Sequence, residues 1–463
     1  MGCFVSTSSA LSMQQGELLA CCPPSLFFIY IFLLTCALLM TSPDSKAKTG
    51  ITFKSATLTK LYAMGVGSQR SNAMTVQTDC DQRDERLGWM GDANLSGDSI
   101  AVNFNANSYL LSYLQTMNDE LNPDGSSVDT APSVRYGGRP GDISWTTAYI
   151  ALPYAMYKTS GDTAAASTYL EGLVAHIGNI ERACAYTAGP SCPQKYGDWV
   201  PPSAGFNPGH GQGPKPSKSY TSAFSYVDAV GKVAELAAAA GNAALAAELK
   251  ANHTKLAADF NKAYFNATTN LYDNGVMTTS TLPLHMGIVP ASAKAALQTN
   301  LLNRLMTTNK AHTDTGIIGF KFLFEQLAAM GRADDALTVL ETTSFPSIGF
   351  MGYNKYEPAT ENVWELWDGY TEGTGMNSRN HHMFSSFTKY MVEIGGGVAQ
   401  VEGSAGFHDV VLKAAASKSI YCLFFHRESA REQGCSPSAF SRGGSLLPSS
   451  YADVHPPDDV IAF

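Results

Sequence analysis

The chain of 463 residues has little charge and no excess of basic residues. Only 15% of its residues are charged, and 40 acidic side chains outnumber 31 lysines and arginines, which gives a formal net charge of −9. Because nucleic-acid binding needs basic clusters that neutralise phosphates, we expect no nucleic-acid partner. The sequence also lacks a glycine-rich phosphate loop, a Cys-x-x-Cys pair and a His-Glu-x-x-His helix. We therefore expect no nucleotide cofactor and no metal.

Signals for β-strands are scarce as well. No regular spacing of short strands and turns is visible, and no repeat of roughly 30 to 45 residues is present. Helical patterns separated by loops rich in glycine, proline and small polar residues follow one another instead. The predicted helices cover residues 57–66, 100–120, 144–159, 163–187, 220–240, 243–263, 291–308, 315–330, 333–343 and 380–394. This pattern by itself predicts an all-α fold.

Cysteine is used sparingly. Four of the nine cysteines lie at or before Cys36. Cys184 and Cys192 flank a short turn and could form a disulfide in an oxidising compartment. We interpret Cys80 as a buried small hydrophobe.

The N-terminal part holds one long apolar run. Residues 18–43 carry no charge, and residues 26–40 are almost entirely apolar. Such a core of about 15 residues suits a signal peptide better than a membrane span of about 20. The basic residues that normally precede it are missing, so a late signal peptide, an uncleaved signal anchor and a stretch outside the fold all stay open. The first two predict a secreted or extracellular protein, or one that is anchored in the membrane.

Residues 79–92 read DCDQRDERLGWMGD and crowd five acids and two arginines around a tryptophan. If this segment forms a helical turn, Glu85, Trp89 and Asp92 lie on one side of it. Carboxylates beside an aromatic ring are typical of sugar sites, where the ring stacks on the sugar and the carboxylates bind hydroxyls. Spacing alone also allows a salt-bridged turn that binds nothing.

This segment resembles a motif of the α-L-rhamnosidases of glycoside hydrolase family 78, which reads DCPQRDERLGWxGD. The chain departs from that motif only at Asp81, which stands in place of proline. Further blocks resemble the family in the expected order, at residues 68–72, 141–145, 196–199, 312–316, 345–350, 361–368 and 375–382. The resemblance spans about residues 57–411.

The resemblance implies an (α/α)6 toroid, a ring of six helical hairpins. Together with the apolar N-terminal run, it divides the chain into a signal peptide or signal anchor with a linker (1–55), a catalytic domain (56–411) and a disordered or truncated C-terminal remnant (412–463). The long loops at 122–142 and 189–219 are expected to wall the pocket, because long loops in compact domains are usually functional.

Glycoside hydrolysis uses two carboxyl groups, one on each side of the bond that breaks. The resemblance implies that Glu85 is the general acid and Glu365 the general base of an inverting reaction, with the carboxyls about 6.5–9.5 Å apart. His382 is interpreted as structural. Contacts to the substrate are expected from Asp79, Arg83, Asp84, Trp89, Asp92, Trp145, Trp199 and His381.

The implied activity is the removal of terminal α-L-rhamnose from a rhamnosylated glycoside or polysaccharide. Two other functions stay open at this point. A different glycosidase with the same toroid would share the paired acids, and a non-catalytic rhamnose-binding remnant would share every motif.

Overall fold

The structure of the protein is a computed structural model that describes residues 49–80, 85–184, 195–203, 213–354, 361–369, 378–395, 397–401, 403–412 and 420–425. Within these ranges no helix is both long and apolar enough to cross a membrane. The apolar run at 26–40 lies outside the described residues, as does Cys192 of the predicted disulfide. Cys80 is fully buried, as expected for a small hydrophobe.

The described chain is mostly helical, and its helices follow one another with few strands between them. In chain order they are α1 (Ala56–Asn72), α2 (Met90–Asn103), α3 (Asn107–Asp119), α4 (Ile143–Thr146), α5 (Ala148–Ser160), α6 (Ala164–Cys184), α7 (Lys218–Ala239), α8 (Ala243–Tyr264), α9 (Met277–His285), α10 (Ala291–Leu302), α11 (Ile317–Ala329), α12 (Ala333–Glu341), α13 (Ile348–Tyr353) and α14 (Phe387–Tyr390). A π-helical turn, Asn303–Thr308, extends α10, and the turns Met383–Ser386 and Met391–Gly395 extend α14 at both ends.

Burial separates inner from outer helices. Eight of the nine residues of α9 are buried, whereas α8 buries only Leu249, Leu256 and Phe260. A helix that is buried all round belongs inside a barrel, and one with a single apolar stripe belongs on its outer surface. By this criterion the described helices α2, α5, α7, α9, α11 and α14 form the inner ring, and α1, α3, α6, α8, α10 and α12 pack around them. The implied (α/α)6 toroid is confirmed.

The connections at the two ends of the barrel differ in length. Inner helices lead into the following outer helix through short turns, such as Gly241 between α7 and α8 and Gly331 between α11 and α12. Both glycines have positive φ, +82° and +69°, which a residue without a side chain adopts without strain. The long loops all enter at the N-terminal ends of the inner helices. A pocket walled by long loops can therefore form only at that end.

The helix predictions failed most clearly at two places. The predicted helix 100–120 is broken at Phe104, where α2 ends, and α2 itself begins inside the acidic segment at Met90. Helix α9 was missed because four threonines and serines and Pro283 weaken its intrinsic helix propensity. Its stability comes from burial among the neighbouring inner helices.

Short strands occur near both ends of the described chain and between α8 and α9. Strand β1 (Thr49–Phe53) pairs antiparallel with β6 (Ile420–Phe425), β2 (Phe265–Asn266) with β3 (Leu271–Tyr272), and β4 (Val398–Gln400) with β5 (Val410–Leu412). The β1–β6 pair joins part of the predicted linker to part of the predicted C-terminal remnant, and the boundaries at 55 and 412 stay predictions. Both strands are rich in aromatic and β-branched residues, which favour β-structure. The strands are too short, however, to be predicted from sequence alone.

An ionic layer crosses the lower half of the barrel interior. Lys321 of α11 and Lys389 of α14 each lie 3.3 Å from Asp98 of α2. The imidazole of His285 lies 2.5 Å from Glu325 and 3.2 Å from Asp228. Four carboxyls and four cationic groups make up this layer, and they balance in charge: Asp98, Asp228, Lys232, His285, Lys321, Glu325, Lys389 and Glu393.

Candidate active site

The acidic segment leads into α2 through a loop, of which the structure describes residues 79–80 and 85–89. A backbone bond from the Asp79 N–H to the Leu87 carbonyl (2.9 Å) closes the loop. The buried Asp79 carboxylate adds a second link, because its Oδ1 accepts the Leu87 N–H at 2.9 Å and its Oδ2 accepts the Cys80 thiol at 3.1 Å. Asp79 therefore fixes the loop that carries Glu85.

Glu85 lies at the partly exposed edge of this loop. Its Oε1 accepts the indole N–H of Trp89 at 2.7 Å. A helical turn through Glu85, Trp89 and Asp92, which the spacing allowed, does not form, because Trp89 pairs with Thr130 as an isolated β-bridge and the helix starts only at Met90. The contact between carboxylate and indole forms nevertheless.

Arg83 and Asp84, two of the predicted substrate contacts, lie outside the described residues. Asp81, the departure from the family motif, lies outside them too. Their roles stay predictions.

Asp92 and His381 form a buried pair. Asp92 stands in the first turn of α2, and its Oδ1 lies 2.5 Å from Nε2 of His381. Since a carboxylate can only accept a hydrogen bond, the histidine donates it. Both side chains were predicted as substrate contacts. In the structure they bind each other.

Glu365 comes from the far end of the chain and is only 3% exposed. Its backbone N–H donates to the Ser378 carbonyl at 2.8 Å, and its Oε2 accepts the Ser378 N–H at 3.0 Å. The same Oε2 lies 3.9 Å from Nδ1 of His381. His381 therefore stands between Asp92 and Glu365.

The two neighbouring histidines differ in protonation. Burial lowers the pKa of His381, but the carboxylates of Asp92, Glu365 and Asp79 outweigh this effect and raise it to about 9. Burial lowers the pKa of His382 to about 4, and its Nδ1 lies 2.6 Å from the Ser96 hydroxyl. His381 is thus a cation at neutral pH and His382 is not.

The pKa values of the two buried aspartates, Asp79 and Asp92, are shifted in opposite directions. Burial raises the pKa of Asp79 to about 6, although the charge of His381 opposes this. Burial would also raise the pKa of Asp92, but the charge and the hydrogen bond of His381 outweigh it, so this pKa falls below its ordinary value. The pocket therefore holds one carboxyl that titrates in mildly acidic solution beside one that stays ionised.

An aromatic wall adjoins Glu85 through the Trp89 indole, and Tyr196 lies at its centre. The Tyr196 ring lies 4.6 Å from the Trp145 ring, 5.8 Å from Trp89 and 6.0 Å from Trp199. Trp145 is 4% exposed and packs directly on Gly91, where a Cβ would come within 2.3 Å of the indole. The structure thus brings three predicted tryptophans together around one tyrosine.

Two aspartates hold this wall in place. The Tyr196 hydroxyl donates to Asp129 Oδ2 at 3.1 Å, and Lys195 Nζ lies 2.9 Å from the same oxygen. Asp142 Oδ2 accepts the Tyr196 N–H at 3.0 Å. Sequence reasoning missed Tyr196, Asp129 and Asp142 as individual residues. The length of the loops that carry them was the available signal.

Asp198 and the remaining tryptophans are structural. The buried Asp198 carboxylate accepts the N–H groups of Gly316, Ile318 and Gly319 and so caps the start of α11. Trp364 and Trp367, which flank Glu365 in sequence, are buried in the core.

One group of possible metal ligands occurs among the described residues. A carboxylate or thiol atom from each of Asp79, Cys80 and Glu85 lies within 4.8 Å of the others. In this group the thiol donates to Asp79 and the Trp89 indole donates to Glu85, so hydrogen bonds already use these atoms.

A helical toroid with clustered carboxyls and an aromatic wall at its open end defines the class of six-hairpin glycosidase domains. Residues 48–394 match the family described as the bacterial alpha-L-rhamnosidase six-hairpin glycosidase domain. Because the match covers most of the chain, the chain belongs to this family.

Known relatives agree with this assignment. An alpha-L-rhamnosidase of Streptomyces avermitilis is 27% identical over 361 residues, which cover 77% of this chain and 33% of that protein. The structure of an alpha-L-rhamnosidase from Dictyoglumus thermophilum has a TM-score of 0.74 and 28% identity, covering 82% of this chain and 41% of that one. The Streptomyces avermitilis alpha-L-rhamnosidase complexed with L-rhamnose has a TM-score of 0.73 and 25% identity, covering 83% and 36%. The chain spans about a third of the length of the curated relatives it matches.

Proposed function

We propose that this chain hydrolyses terminal α-L-rhamnosides with inversion, with Glu85 as the general acid and Glu365 as the general base. One observation carries the proposal. Two carboxyls that are 280 residues apart in sequence belong to one cluster of charged side chains. In this cluster Glu85 lies next to Asp79, and Glu365 lies 3.9 Å from His381. Family membership and the printed names of the relatives support L-rhamnose as the sugar.

The two carboxyls have surroundings that suit different tasks. Glu85 stands at the open edge of the pocket, where it can reach the oxygen that links rhamnose to the rest of the substrate. Its proton passes to that oxygen while the bond to the anomeric carbon breaks. Glu365 is buried and held by Ser378, which suits a base that takes a proton from water as the water oxygen attacks the same carbon from the opposite face.

The His381 imidazolium supports this chemistry by its charge. It pairs with Asp92 and attracts the Glu365 carboxylate, so it keeps negative charge in a buried place. The aromatic wall around Tyr196 offers an apolar surface for the sugar ring and its methyl group, and Asp79 offers a hydrogen-bond acceptor for hydroxyls.

The test is hydrolysis of an aryl α-L-rhamnoside by the purified chain, followed through the anomeric proton by NMR in the first minutes. We expect β-L-rhamnose to appear first, since a base that acts through water inverts the anomeric carbon. Initial formation of the α anomer would instead make Glu365 a nucleophile and overturn its assigned role.

Two comparisons separate the other functions. Hydrolysis of aryl D-glucosides in preference to the rhamnoside would identify a different glycosidase. Binding of L-rhamnose in calorimetry without hydrolysis of any rhamnoside would identify a non-catalytic binding domain.

A further inference from the structure

The amide of Asn72 lies between the two segments that carry the proposed catalytic carboxyls. Asn72 is the last residue of α1, and its side chain is almost fully buried. A buried amide needs hydrogen-bond partners for its oxygen and for its nitrogen, since burial without them is costly. The partners of Asn72 come from both segments.

On the side of the proposed acid, Asn72 binds Thr78, the residue directly before Asp79. The Thr78 N–H donates to the Asn72 backbone carbonyl at 2.8 Å, and the Thr78 hydroxyl donates to the same carbonyl at 3.0 Å. The side-chain Oδ1 of Asn72 lies 3.3 Å from this hydroxyl. Because Asp79 fixes the loop that carries Glu85, Asn72 anchors that loop where it begins.

On the side of the proposed base, Asn72 binds Asn380, the residue directly before His381. Nδ2 of Asn72 lies 3.2 Å from the Asn380 backbone carbonyl and 3.3 Å from its side-chain Oδ1. The Asn380 carbonyl also accepts the Ser378 hydroxyl at 2.9 Å, and the Ser378 N–H donates to Glu365 at 3.0 Å. Asn72 therefore reaches Glu365 through Asn380 and Ser378.

A second contact from α1 holds the segment of the proposed base. The Ser68 hydroxyl, about one turn before Asn72, accepts the Val363 N–H at 2.8 Å. The Val363 carbonyl accepts the His381 N–H at 2.8 Å, and Nδ2 of Asn72 donates to the Ser68 carbonyl at 3.0 Å. The end of α1 thus holds this segment at two points, and Asn72 is the point that also binds Thr78.

Asparagine suits this place because one side chain both donates and accepts hydrogen bonds. Its Nδ2 serves Asn380 and its Oδ1 serves Thr78, whereas a carboxylate could only accept and an aliphatic side chain could do neither. Inverting hydrolysis needs room for one water between the base and the anomeric carbon, with the carboxyls about 6.5–9.5 Å apart. A displacement of about 1 Å can lower the rate about a hundredfold.

From these contacts we propose that Asn72 is a positioning residue, which sets the separation between Glu85 and Glu365 by binding the segments of both. The proposal rests on the proposed function, because it needs these two carboxyls to act as acid and base.

The test measures kcat and KM of Asn72→Ala on methyl α-L-rhamnoside and on a dinitrophenyl α-L-rhamnoside. We expect kcat to fall about a hundredfold on the first and about tenfold on the second, because a displaced acid matters most when the leaving group needs its proton. KM should stay within about three-fold. The ratio of kcat on the methyl rhamnoside to kcat on the dinitrophenyl rhamnoside thus falls about tenfold. A variant that merely contains less folded protein would lower both values equally and leave this ratio unchanged.

Asn103→Ala is the matched control. Asn103 is also a fully buried amide that joins elements, since its Nδ2 donates to Gln69 Oε1 of α1 at 2.8 Å and to Thr388 Oγ1 of α14 at 2.9 Å. It lies eleven residues after Asp92 on α2, about 16 Å along the helix axis and away from the pocket. Asn103→Ala should therefore lower the unfolding temperature and leave the kcat ratio unchanged.

Thr78→Val is a milder variant that answers the same question if Asn72→Ala does not fold. It removes the hydroxyl that binds Asn72 but keeps the backbone bond between the two residues, so the kcat ratio should fall about two- to three-fold. Tyr62→Phe is its control, because it removes a buried hydroxyl that donates to Asn103 at 3.0 Å. Tyr62 lies ten residues before Asn72 on α1, about 15 Å along the axis, and its variant should leave the ratio unchanged.

Several results would overturn the role of Asn72. An unchanged kcat ratio in folded Asn72→Ala would do so, as would an unchanged ratio in Thr78→Val if Asn72→Ala does not fold. An equal fall of the ratio in Asn103→Ala, or a rise in KM without a fall in kcat, would also count against it. A wild type that hydrolyses neither rhamnoside would instead refute the proposed function, and the positioning role with it.

Discussion

The two halves of the barrel interior differ in how their charged side chains are arranged. In the lower half the ionic layer sets four carboxyls against four cations, and burial raises the pKa of Glu393 while the nearby lysines hold that of Asp98 down, to about 2. In the upper half, the described pocket places Asp79, Asp92 and Glu365 around the His381 imidazolium, and Glu85 lies beside Asp79. The two halves are close, since Asp92 and Asp98 are separated by six residues of α2, about 9 Å along its axis.

The contrast indicates two uses of buried charge. A paired charge in the lower half costs desolvation and recovers it through its partner, so removal of one partner costs stability. In the upper half, Asp79 and Asp92 have pKa values that are shifted in opposite directions, as is common in catalytic sites, so removal of a carboxyl there is expected to cost activity. Each prediction below asks whether a variant in one half has the effect that belongs to that half.

The largest effect is expected from Glu365→Gln. Loss of the proposed base should lower kcat on an aryl α-L-rhamnoside about a thousandfold. The amide oxygen can still accept the Ser378 N–H, so thermal unfolding should change little. A large fall in the unfolding temperature with retained kcat would show that Glu365 has a structural role and is not the base.

Glu85→Gln should have an effect that depends on the leaving group. We expect a loss of about a hundredfold or more on alkyl or flavonoid rhamnosides and a smaller loss on nitrophenyl rhamnosides, because a good leaving group needs less protonation. Steady-state kinetics on a series of substrates with different leaving-group pKa values measures this. Equal losses along the series would contradict the role of Glu85 as the acid.

In the lower half, Lys321→Met should act on stability instead. Lys321 lies 3.3 Å from Asp98, and its loss leaves a buried carboxylate with less compensation, which costs about 3 kcal/mol. Urea unfolding measures the cost, and kcat of the remaining folded protein should stay near that of the wild type. The double variant with Asp98→Asn should recover part of the loss, since it removes the excess charge.

The contrast between the halves also explains what the sequence could predict. Helices rich in alanine and leucine, such as α7 and α8, were predicted nearly to the residue because their propensity and their burial agree. The ionic layer was not predicted, because Lys321 and Glu325 on α11 look like surface residues until the barrel closes around them. Periodicity within one helix carries no information about charges on the facing helices.

The candidate site was predictable only through the family resemblance. Glu85 and Glu365 are 280 residues apart, and no local pattern could bring them together. Tyr196 was overlooked because it lies in a glycine- and proline-rich loop without periodicity, and its place at the centre of three tryptophans arises from Asp129 and Asp142, which belong to another loop. The pairing of Asp92 with His381 likewise joins two side chains that were each assigned to the substrate.

Replacement of His381 by glutamine should have a smaller effect, a loss of stability that depends on pH. The folded chain raises the pKa of His381 from 6.5 to about 9, so the folded state binds this proton more tightly than the unfolded state does. Its stabilising contribution is complete below pH 6.5 and is lost as the pH rises through about 9. The difference in unfolding temperature between wild type and variant should therefore shrink across that range, and a difference that is constant with pH would contradict a charged His381.

The smallest effect is expected from Tyr196→Phe, which removes one hydroxyl and leaves the ring. The hydroxyl donates to Asp129 at 3.1 Å, and Asp129 keeps its contacts with Lys195 Nζ and with the Asp142 N–H. The carboxylate therefore stays partnered, and the loss should be that of a single hydrogen bond, about 1 kcal/mol. If that bond orients the aromatic wall toward rhamnose, KM for methyl α-L-rhamnoside should rise about three- to five-fold while kcat stays within a factor of two.

Asp129→Asn distinguishes orientation from simple contact, because it keeps an acceptor for the hydroxyl but removes the charge that binds Lys195. A rise in KM for Asp129→Asn without one for Tyr196→Phe would show that the ion pair, and not the tyrosine hydroxyl, fixes the wall.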